Sequence, residues 1–365
     1  LEPPGAGDIA HGWGATVKGG DSSYFVTLHR NKRGIVVDLK KPEGKELFFK
    51  LIERCDVVLE NYRVGALTRL GLDYEAARQR NPSIIYCSIS GFGQDGPYRD
   101  RAALDLIVQA ESGMVSVTGE PGSSGTRAGV SIADLTAGMN AAYGVMLALR
   151  HKERTGEGQQ IDISMLEGQL SLLTPAVGNY FANGEIPRPM GNAYSVVVPY
   201  QTFHTKTKDL ALAIAGEKLW RIFCPVIGCP ELADDPRYVS TQLRSTNRDT
   251  LIRKLQEVFL TRTYEEWEKL LLANDIPVGA INNLEQVIAH PQVKARGALM
   301  DIEHPQAGKV RVVRSPIRMS GLPERKNTPA PLRGQHTEEV LREVLGLKPA
   351  EISALLAAGA VATAK

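Results

Sequence analysis

The sequence has few cysteines, almost no net charge and no long uninterrupted apolar run. Its four cysteines in 365 residues form no C-x-x-C pair, so neither a disulfide framework nor a structural zinc site is indicated. A formal charge of +2 provides no extended basic surface for nucleic acid or anionic lipid. No apolar run reaches the roughly 18 residues of a spanning helix. We therefore expect no nucleic-acid or membrane partner, and a cytoplasmic location, or a mitochondrial one in a eukaryote.

Two common kinds of catalytic motif are also absent. The seven histidines are scattered singly, with no H-E-x-x-H and no close pair, so the sequence predicts no catalytic metal. No G-x-S-x-G occurs, which removes the usual nucleophile of α/β-hydrolases.

Short β-branched runs alternate with helical spacing through the first half of the chain. Strands are predicted over 34–39, 55–60, 83–90 and 160–164, and helices over 65–79, 134–154 and 165–181. This alternation indicates an α/β fold with a parallel sheet. After Asn183, glycines and prolines cluster at Gly184, Pro187, Pro189 and Gly191, which is typical of a domain boundary. A smaller α+β unit is predicted beyond it.

The segment 91–96 reads G-x-G-x-x-G directly after a predicted strand, as a dinucleotide-binding loop would. However, Pro97 follows the third glycine, where that motif continues as a helix. No second strand with a terminal acidic residue follows about 20 residues later. Nicotinamide and flavin cofactors are therefore disfavoured. A loop that binds another ligand and a plain tight turn both remain open.

Asp134 lies where an apolar segment turns into the predicted long helix. Aspartate is a favoured helix N-cap, so a structural role is one interpretation. A helix N-terminus also keeps a carboxylate ionised, and an ionised, accessible carboxylate can act as a nucleophile. The two roles are compatible. The basic run 29–33 likewise suits either a phosphate-binding site or a solvated loop.

Six segments carry a resemblance to the class III coenzyme A transferases, the CaiB/BaiF family. They are PGAGD at 4–8, HRNKRGIVVDLKKPEG at 29–44, DVVLENYRVGALTRLGLDYE at 56–75, NPSIIYCSISGFGQDGPY at 81–98, SIADLTAG at 131–138 and RTGEGQQIDISML at 154–166. The resemblance covers nearly the whole chain. It implies that coenzyme A (CoA) or an acyl-CoA is a substrate, and that neither a metal nor a nicotinamide or flavin takes part.

The resemblance further implies that Asp134 is the catalytic residue, forming a covalent aspartyl intermediate while CoA passes between two carboxylic acids. The family's CoA-contacting positions fall on residues of three segments and one further arginine: Val37, Asp38, Leu39, Lys40, Asn61, Tyr62, Arg63, Arg69 and Arg101. Lys32, Arg33, Lys40 and Arg69 are expected to offset the phosphate charges.

Several positions of this sequence depart from the family pattern, and these differences reduce the number of family activities that we expect. The racemase branch has a histidine before an aspartate where this chain has Leu104 and Asp105, although Glu217 matches another racemase position. The glycine run of formyl-CoA transferases is replaced over 190–196. The segments 197–203, 277–283 and 334–337 look most like the branch that uses succinyl-CoA with dicarboxylates. An α-methylacyl-CoA racemase and an inactive CoA-binding protein remain as alternatives, and Arg127, Arg188 and His204 are candidates for a second substrate carboxylate.

The family fold implied by the resemblance is a Rossmann-like, parallel-sheet large domain built from both chain ends, with a smaller α+β domain inserted and two protomers interlocked as a homodimer. The corresponding bounds are 1–185 for the first part of the large domain, 186–305 for the small domain and its linkers, and 306–365 for the return. Family members have a strand and helix before the PGAGD segment, and we expect that unit to be missing from this sequence.

Overall fold

A computed structural model describes residues 1–323 and 326–364. The first part of the chain forms α1 (Ser23–Leu28), β1 (Val36–Val37), α2 (Pro42–Ile52), β2 (Val57–Glu60), α3 (Ala66–Leu70), α4 (Tyr74–Arg80), β3 (Ile85–Ser90), α5 (Asp105–Glu111) and α6 (Met114–Val117). It continues with α7 (Ile132–Thr155), β4 (Gln159–Ser164), α8 (Met165–Leu172) and α9 (Thr174–Asn183).

The second half forms β5 (Tyr200–Phe203), β6 (Leu210–Ala213), α10 (Glu217–Val226), α11 (Thr241–Thr246), α12 (Arg248–Phe259), α13 (Tyr264–Leu272) and β7 (Val278–Ala280). It ends with α14 (Leu284–Ala289), α15 (Pro291–Ala295), β8 (Leu299–His304), β9 (Gly308–Val313), α16 (Thr337–Glu343), α17 (Pro349–Ala357) and β10 (Val361–Ala362). Short 3₁₀ turns lie at Ile9–Gly12 and Pro230–Ala233.

The predicted parallel sheet is confirmed. Strands β2, β3 and β4 pair in parallel in that order, with Val57 opposite Ile85 and Ile85 opposite Gln159. The other described pairings, β1 with β10, β5–β6–β7 and β8 with β9, are antiparallel. The protein is therefore a mixed α/β fold.

Helix α7 packs against β3 and β4 through a row of small side chains. Ala133, Ala137 and Ala141 recur at four-residue spacing, which puts them on one face of the helix, and all three are buried. They allow the helix backbone to approach the sheet closely. Met165 and Val108 complete this core cluster directly beneath the start of α7.

Two predicted helices are each divided in two. The helix predicted over 65–79 stops at Gly71, whose φ of 70° is left-handed, and α4 restarts with the Asp73 side chain accepting from the Ala76 amide. The helix predicted over 165–181 breaks at Leu173. Pro175, which has no N–H to donate, lies in the first turn of α9, a position where helices tolerate proline.

The chain divides into two compact units. Unit 1 consists of Leu1–Val108, Ile132–Gln169 and the chain from Ile288 onward, and unit 2 of Gln109–Ser131 and Leu170–Val287. Unit 1 contains the parallel sheet. Unit 2 has its own core, in which Trp220, Phe223, Phe259 and Trp267 pack together.

Among the described residues, α7 is long and apolar enough to cross a membrane by length and composition alone. The sequence contains no uninterrupted apolar run of that length. One such helix is weak evidence for a membrane span, and in the single chain the alanine face of α7 is buried against the sheet while 28% of its apolar window is buried.

Candidate active site

The start of α7 places Asp134 at the wall of a cavity in unit 1. Asp134 is the third residue of the helix, and its carboxylate has no hydrogen bond or ion pair to any residue that the structure describes. Burial, followed by the negative charge of Asp105, raises the pKa of Asp134 above its usual range. The carboxylate thus lies at the edge of a cavity with no partner among residues 1–323 and 326–364, where it can react.

The capping role considered for Asp134 is wrong. The helix begins two residues before it, and the Ala133 amide donates instead to Asp105 Oδ1 at 2.9 Å. Buried Gln169 donates through Nε2 to the Ile132 carbonyl at 3.2 Å. Because residues from α5 and α8 fix the helix start, the Asp134 side chain is not needed for that purpose.

The cavity has a volume of about 450 Å³ and combines one carboxylate with three guanidinium groups. Its charged lining residues are Asp134, Arg63, Arg99 and Arg101. Its remaining walls come from the ends of β2 and β3, the loop that follows β3, α7, the start of α8 and the segment after the first 3₁₀ turn. They include Asn61, Tyr62, Leu104, Gly138, Met165 and Trp13. An excess of cationic groups at the carboxyl ends of parallel strands suits an anionic ligand.

The glycine loop is shaped for a tight turn beside this cavity. A Cβ on Gly91 would lie 2.2 Å from the Ala103 Cβ, so only glycine permits this close approach. Gly93 adopts a φ of 97°, its amide donates to Ser90 Oγ at 3.0 Å, and the Gln94 amide donates to Asp162 Oδ2 at 2.9 Å. No helix begins at the third glycine, since the next one, α5, starts at Asp105.

Two of the arginines in the cavity are fixed by the loop that they border. Arg63 donates through Nε and Nη2 to the Asp100 carbonyl at 3.2 and 2.7 Å. The Arg101 guanidinium lies over the rings of Tyr98 and Phe92, 4.4 and 5.0 Å from their centroids. Such stacking fixes the orientation of the guanidinium at the cavity.

The structure brings together four of the nine predicted CoA positions with Asp134, namely Asn61, Tyr62, Arg63 and Arg101. The Asn61 amide is held by the Ile89 carbonyl at 2.7 Å, and burial raises the pKa of the Tyr62 hydroxyl. Asn61, Tyr62 and Arg63 follow β2 directly, so the carboxyl end of that strand sets their placement, whereas Arg101 lies in the loop between β3 and α5.

The other five predicted positions do not line this cavity. Val37 is buried in a core cluster with Leu39 packed against it, so the Val37 side chain faces no solvent. Asp38 accepts from the Lys40 amide at 3.0 Å in the turn after β1. Arg69 is exposed in the last turn of α3.

The predicted phosphate-binding cations are partly engaged elsewhere. Arg33 forms ion pairs with Glu339 and Glu343 of α16 at 3.0 and 3.2 Å. Lys32 Nζ lies 3.2 Å from His29 Nδ1, and burial lowers the pKa of the Lys32 ammonium. Arg33 thus links the N-terminal part of the chain to the C-terminal part through ion pairs. The local sequence around Arg33 did not predict these ion pairs.

Sequence reasoning missed three residues of this region, Trp13, Arg99 and Asp105. Arg99 lies two positions before Arg101, which was predicted to contact CoA. This close spacing of two arginines was the sequence feature from which Arg99 could have been predicted as a second cation of the site. Asp105 was considered only for the racemase comparison. Nothing in the local sequence predicts that Trp13, far away along the chain, lines the cavity.

Comparison with known proteins confirms the resemblance. The profile of CoA-transferase family III matches residues 1–337, and the chain belongs to that family, so it is a CoA-transferase. It is 37% identical over 361 residues to the human succinyl-CoA:glutarate CoA-transferase, covering 99% of this chain and 82% of the relative. It is 39% identical over 355 residues to the succinate–glutarate CoA-transferase of Agrobacterium fabrum, covering 94% and 88%. The crystal structure of a CaiB/BaiF family protein from Brucella suis superimposes with a TM-score of 0.81 at 34% identity, covering 94% of this chain and 90% of that one.

Proposed function

We propose that this chain transfers CoA from succinyl-CoA to a short dicarboxylate such as glutarate, with Asp134 as the nucleophile. The substrate pair is supported by two relatives of that name at 37% and 39% identity. The observation that carries the proposal is the Asp134 carboxylate, which has no partner in the described part of the chain and lies in a cavity that also contains Arg63, Arg99 and Arg101.

The reaction proceeds in balanced acyl exchanges. An Asp134 oxygen attacks the thioester carbonyl carbon and the C–S bond breaks. CoA departs as its thiolate, and the donor acyl group is now joined to Asp134 as a mixed anhydride. The thiolate then attacks the aspartyl carbonyl carbon, which releases the donor carboxylate and leaves an aspartyl–CoA thioester. The acceptor carboxylate reverses both steps and regenerates Asp134. No net proton is taken up or released, and covalent catalysis replaces one difficult exchange with easier ones.

The arginines of the cavity are proposed to bind the negatively charged groups of the substrates in this reaction. Arg63 and Arg101 are positioned to bind phosphate or carboxylate oxygens of the acyl-CoA, since guanidinium groups bind such oxygens strongly in a partly desolvated cavity. Asn61 and Tyr62 complete the proposed CoA-binding segment after β2. Val37, Asp38, Leu39, Lys40 and Arg69 are proposed to contact more distant parts of CoA, Val37 through its main chain.

The racemase alternative finds no support in the geometry. Leu104 supplies no acid or base, and Glu217 Oε1 accepts from the Thr241 amide and hydroxyl at 2.7 and 3.0 Å. Glu217 therefore acts as a cap for α11. We retain the CoA-transferase proposal alone.

The proposed assembly is the interlocked homodimer of the family, with a Rossmann-like large domain and an inserted small domain. It is supported by the outward face of α7, where Leu135, Met139, Tyr143, Met146 and Leu147 are at least half exposed in the single chain. Contiguous exposed apolar side chains of this kind are typical of an interface. We propose a reducing compartment for the protein, in keeping with its unpaired cysteines.

The test is mass-spectrometric detection of new acyl-CoA species when the protein meets succinyl-CoA and a panel of mono- and dicarboxylates. Asp134→Asn, which keeps the shape of the side chain but not its nucleophilic oxygen pair, is compared with the wild type. Hydroxylamine added during turnover should convert the peptide that contains Asp134 to its hydroxamate. Exchange by Asp134→Asn at the wild-type rate would exclude the mechanism, and CoA binding without exchange by the wild type would favour an inactive CoA-binding protein.

A further inference from the structure

We propose that a cavity within unit 2 binds an organic carboxylate through Arg188. The cavity has a volume of about 670 Å³, within the range of small-molecule sites, and lies between α9, α11 and the segment that joins α9 to β5. That the ligand is an acid substrate of CoA transfer rests on the proposed function. The binding of a carboxylate at Arg188 is a separate claim.

The segment that carries Arg188 is fixed to unit 2 on both sides of the cavity. The Gly191 amide donates to the Gly119 carbonyl at 2.7 Å. Arg248 Nη2 donates to the carbonyls of Tyr194 and Ser195 at 2.7 and 3.0 Å. Although the segment has no helix or strand, these contacts hold its backbone, so the cavity wall is defined.

Of the three candidates for a substrate carboxylate, only Arg188 has a head group without a partner in the described part of the chain. Arg127 donates to the Ala128 carbonyl at 3.0 Å, and His204 Nδ1 lies 2.6 Å from Asp209 Oδ1. Arg188 lines the cavity, and no hydrogen bond or ion pair to it occurs among the described residues. Its planar guanidinium is suited to bidentate carboxylate binding.

The other walls supply neutral donors and apolar contacts. Asn179 of α9 and Ser245 of α11 line the cavity, and their side chains make no hydrogen bond within the described residues. Met190 and Val196 provide apolar surface for methylene groups. Glu185 also lines the cavity, so an acid bound here should place one carboxylate at Arg188 and keep any second negative charge away from Glu185. The site therefore fits a short acid that presents one carboxylate to Arg188.

The test measures binding of glutarate, its monomethyl ester and neutral glutaramide to the full chain by ligand-observed NMR. We expect both acids to bind and glutaramide not to bind. Arg188→Gln should weaken acid binding by roughly tenfold to a hundredfold, the range of one charge-assisted hydrogen-bonding group. The affinity of Arg188→Lys for the acids should lie between those of the wild type and Arg188→Gln, because lysine keeps the positive charge but cannot form the bidentate hydrogen bonds of a guanidinium. Arg253→Gln, on exposed α12 surface away from the cavity, is the matched control and should bind as the wild type does.

Unchanged acid binding by Arg188→Gln, or equal losses in Arg188→Gln and Arg253→Gln, would overturn the inference. In exchange assays, Arg188→Gln should raise KM for the acceptor acid, and KM for succinyl-CoA should rise with it because the succinyl group also presents a free carboxylate. Wild-type protein that binds acid through Arg188 but exchanges no CoA would support this site and refute the proposed function. Exchange that depends on Asp134, together with acid binding that Arg188→Gln leaves unchanged, would do the reverse.

Discussion

The carboxylate of Asp105 accepts a hydrogen bond at 2.9 Å from the backbone amide of Ala133, the residue before the proposed nucleophile. The first residue of α5 thus satisfies an amide at the start of α7 and places a negative charge near Asp134. Asp105 does not line the cavity. We regard it as a positioning residue.

Asp105→Asn should keep the hydrogen-bond acceptor and remove the charge. Burial and Asp105 together raise the pKa of Asp134, so removing the charge should lower that pKa. The reactive form of Asp134 is ionised, and the acid limb of the kcat/KM profile should therefore move to lower pH. Asp105→Ala should in addition leave the buried Ala133 amide unpaired and cost about 1 kcal/mol of unfolding free energy. An acid limb that does not move in Asp105→Asn would show that the charge has no effect on Asp134.

Arg101→Lys should impair acyl-CoA binding although the charge is kept. The guanidinium stacks over Tyr98 and Phe92, which an ammonium on a flexible stem would do less well. We expect KM for succinyl-CoA to rise roughly tenfold, corresponding to about 1.4 kcal/mol, with little change in kcat. Steady-state kinetics with varied succinyl-CoA will test this. A KM equal to that of the wild type would show that Arg101 does not contribute to acyl-CoA binding.

Gly91→Ala should displace the loop after β3, because the new methyl group would lie 2.2 Å from the Ala103 Cβ. Overpacking of this kind costs about 1–3 kcal/mol of unfolding free energy. Gly178→Ala, in α9 with open space around its Cβ position, should instead stabilise by up to about 1 kcal/mol. Urea unfolding of both variants separates the two effects. Equal stability of the two would show that the loop adjusts freely.

His11 should make stability depend on pH near neutrality. Burial alone lowers its pKa, but Nδ1 and Nε2 lie 2.9 Å from Asp21 and Glu2, and these carboxylates raise the pKa of His11 overall. A raised folded-state pKa gives stability that is complete below about pH 6.5, the unfolded-state value, and is lost as pH rises through the folded-state pKa.

The wild type should therefore lose more unfolding free energy than His11→Asn between about pH 6 and about pH 9. Urea titrations at the two pH values measure the difference. The ring of His11 also stacks on Phe25 at 3.7 Å, so both variants must be compared at each pH to cancel the packing loss. Parallel losses in the two proteins would contradict the assignment.

The alternation of strands and helices, the family, and the position of Asp134 near the start of a long helix could all be predicted from the amino-acid sequence. These features depend on local information: β-branched runs, helical spacing and a contiguous motif. The antiparallel pairing of β1 with β10 and the division of the predicted helices at Gly71 and Leu173 were not predicted. In both helices the apolar spacing continues across the break, so periodicity could not mark it.

Which side chains act together follows from long-range packing. The fold places the Asp105 carboxylate at the start of α7, pairs Arg33 with Glu339 across 306 residues of sequence, and gives Arg188 no partner among the described residues. Such choices depend on which groups the fold brings within hydrogen-bonding distance. A charged or amide side chain can pair with many different groups. The neighbouring sequence therefore does not predict which partner long-range packing brings to it.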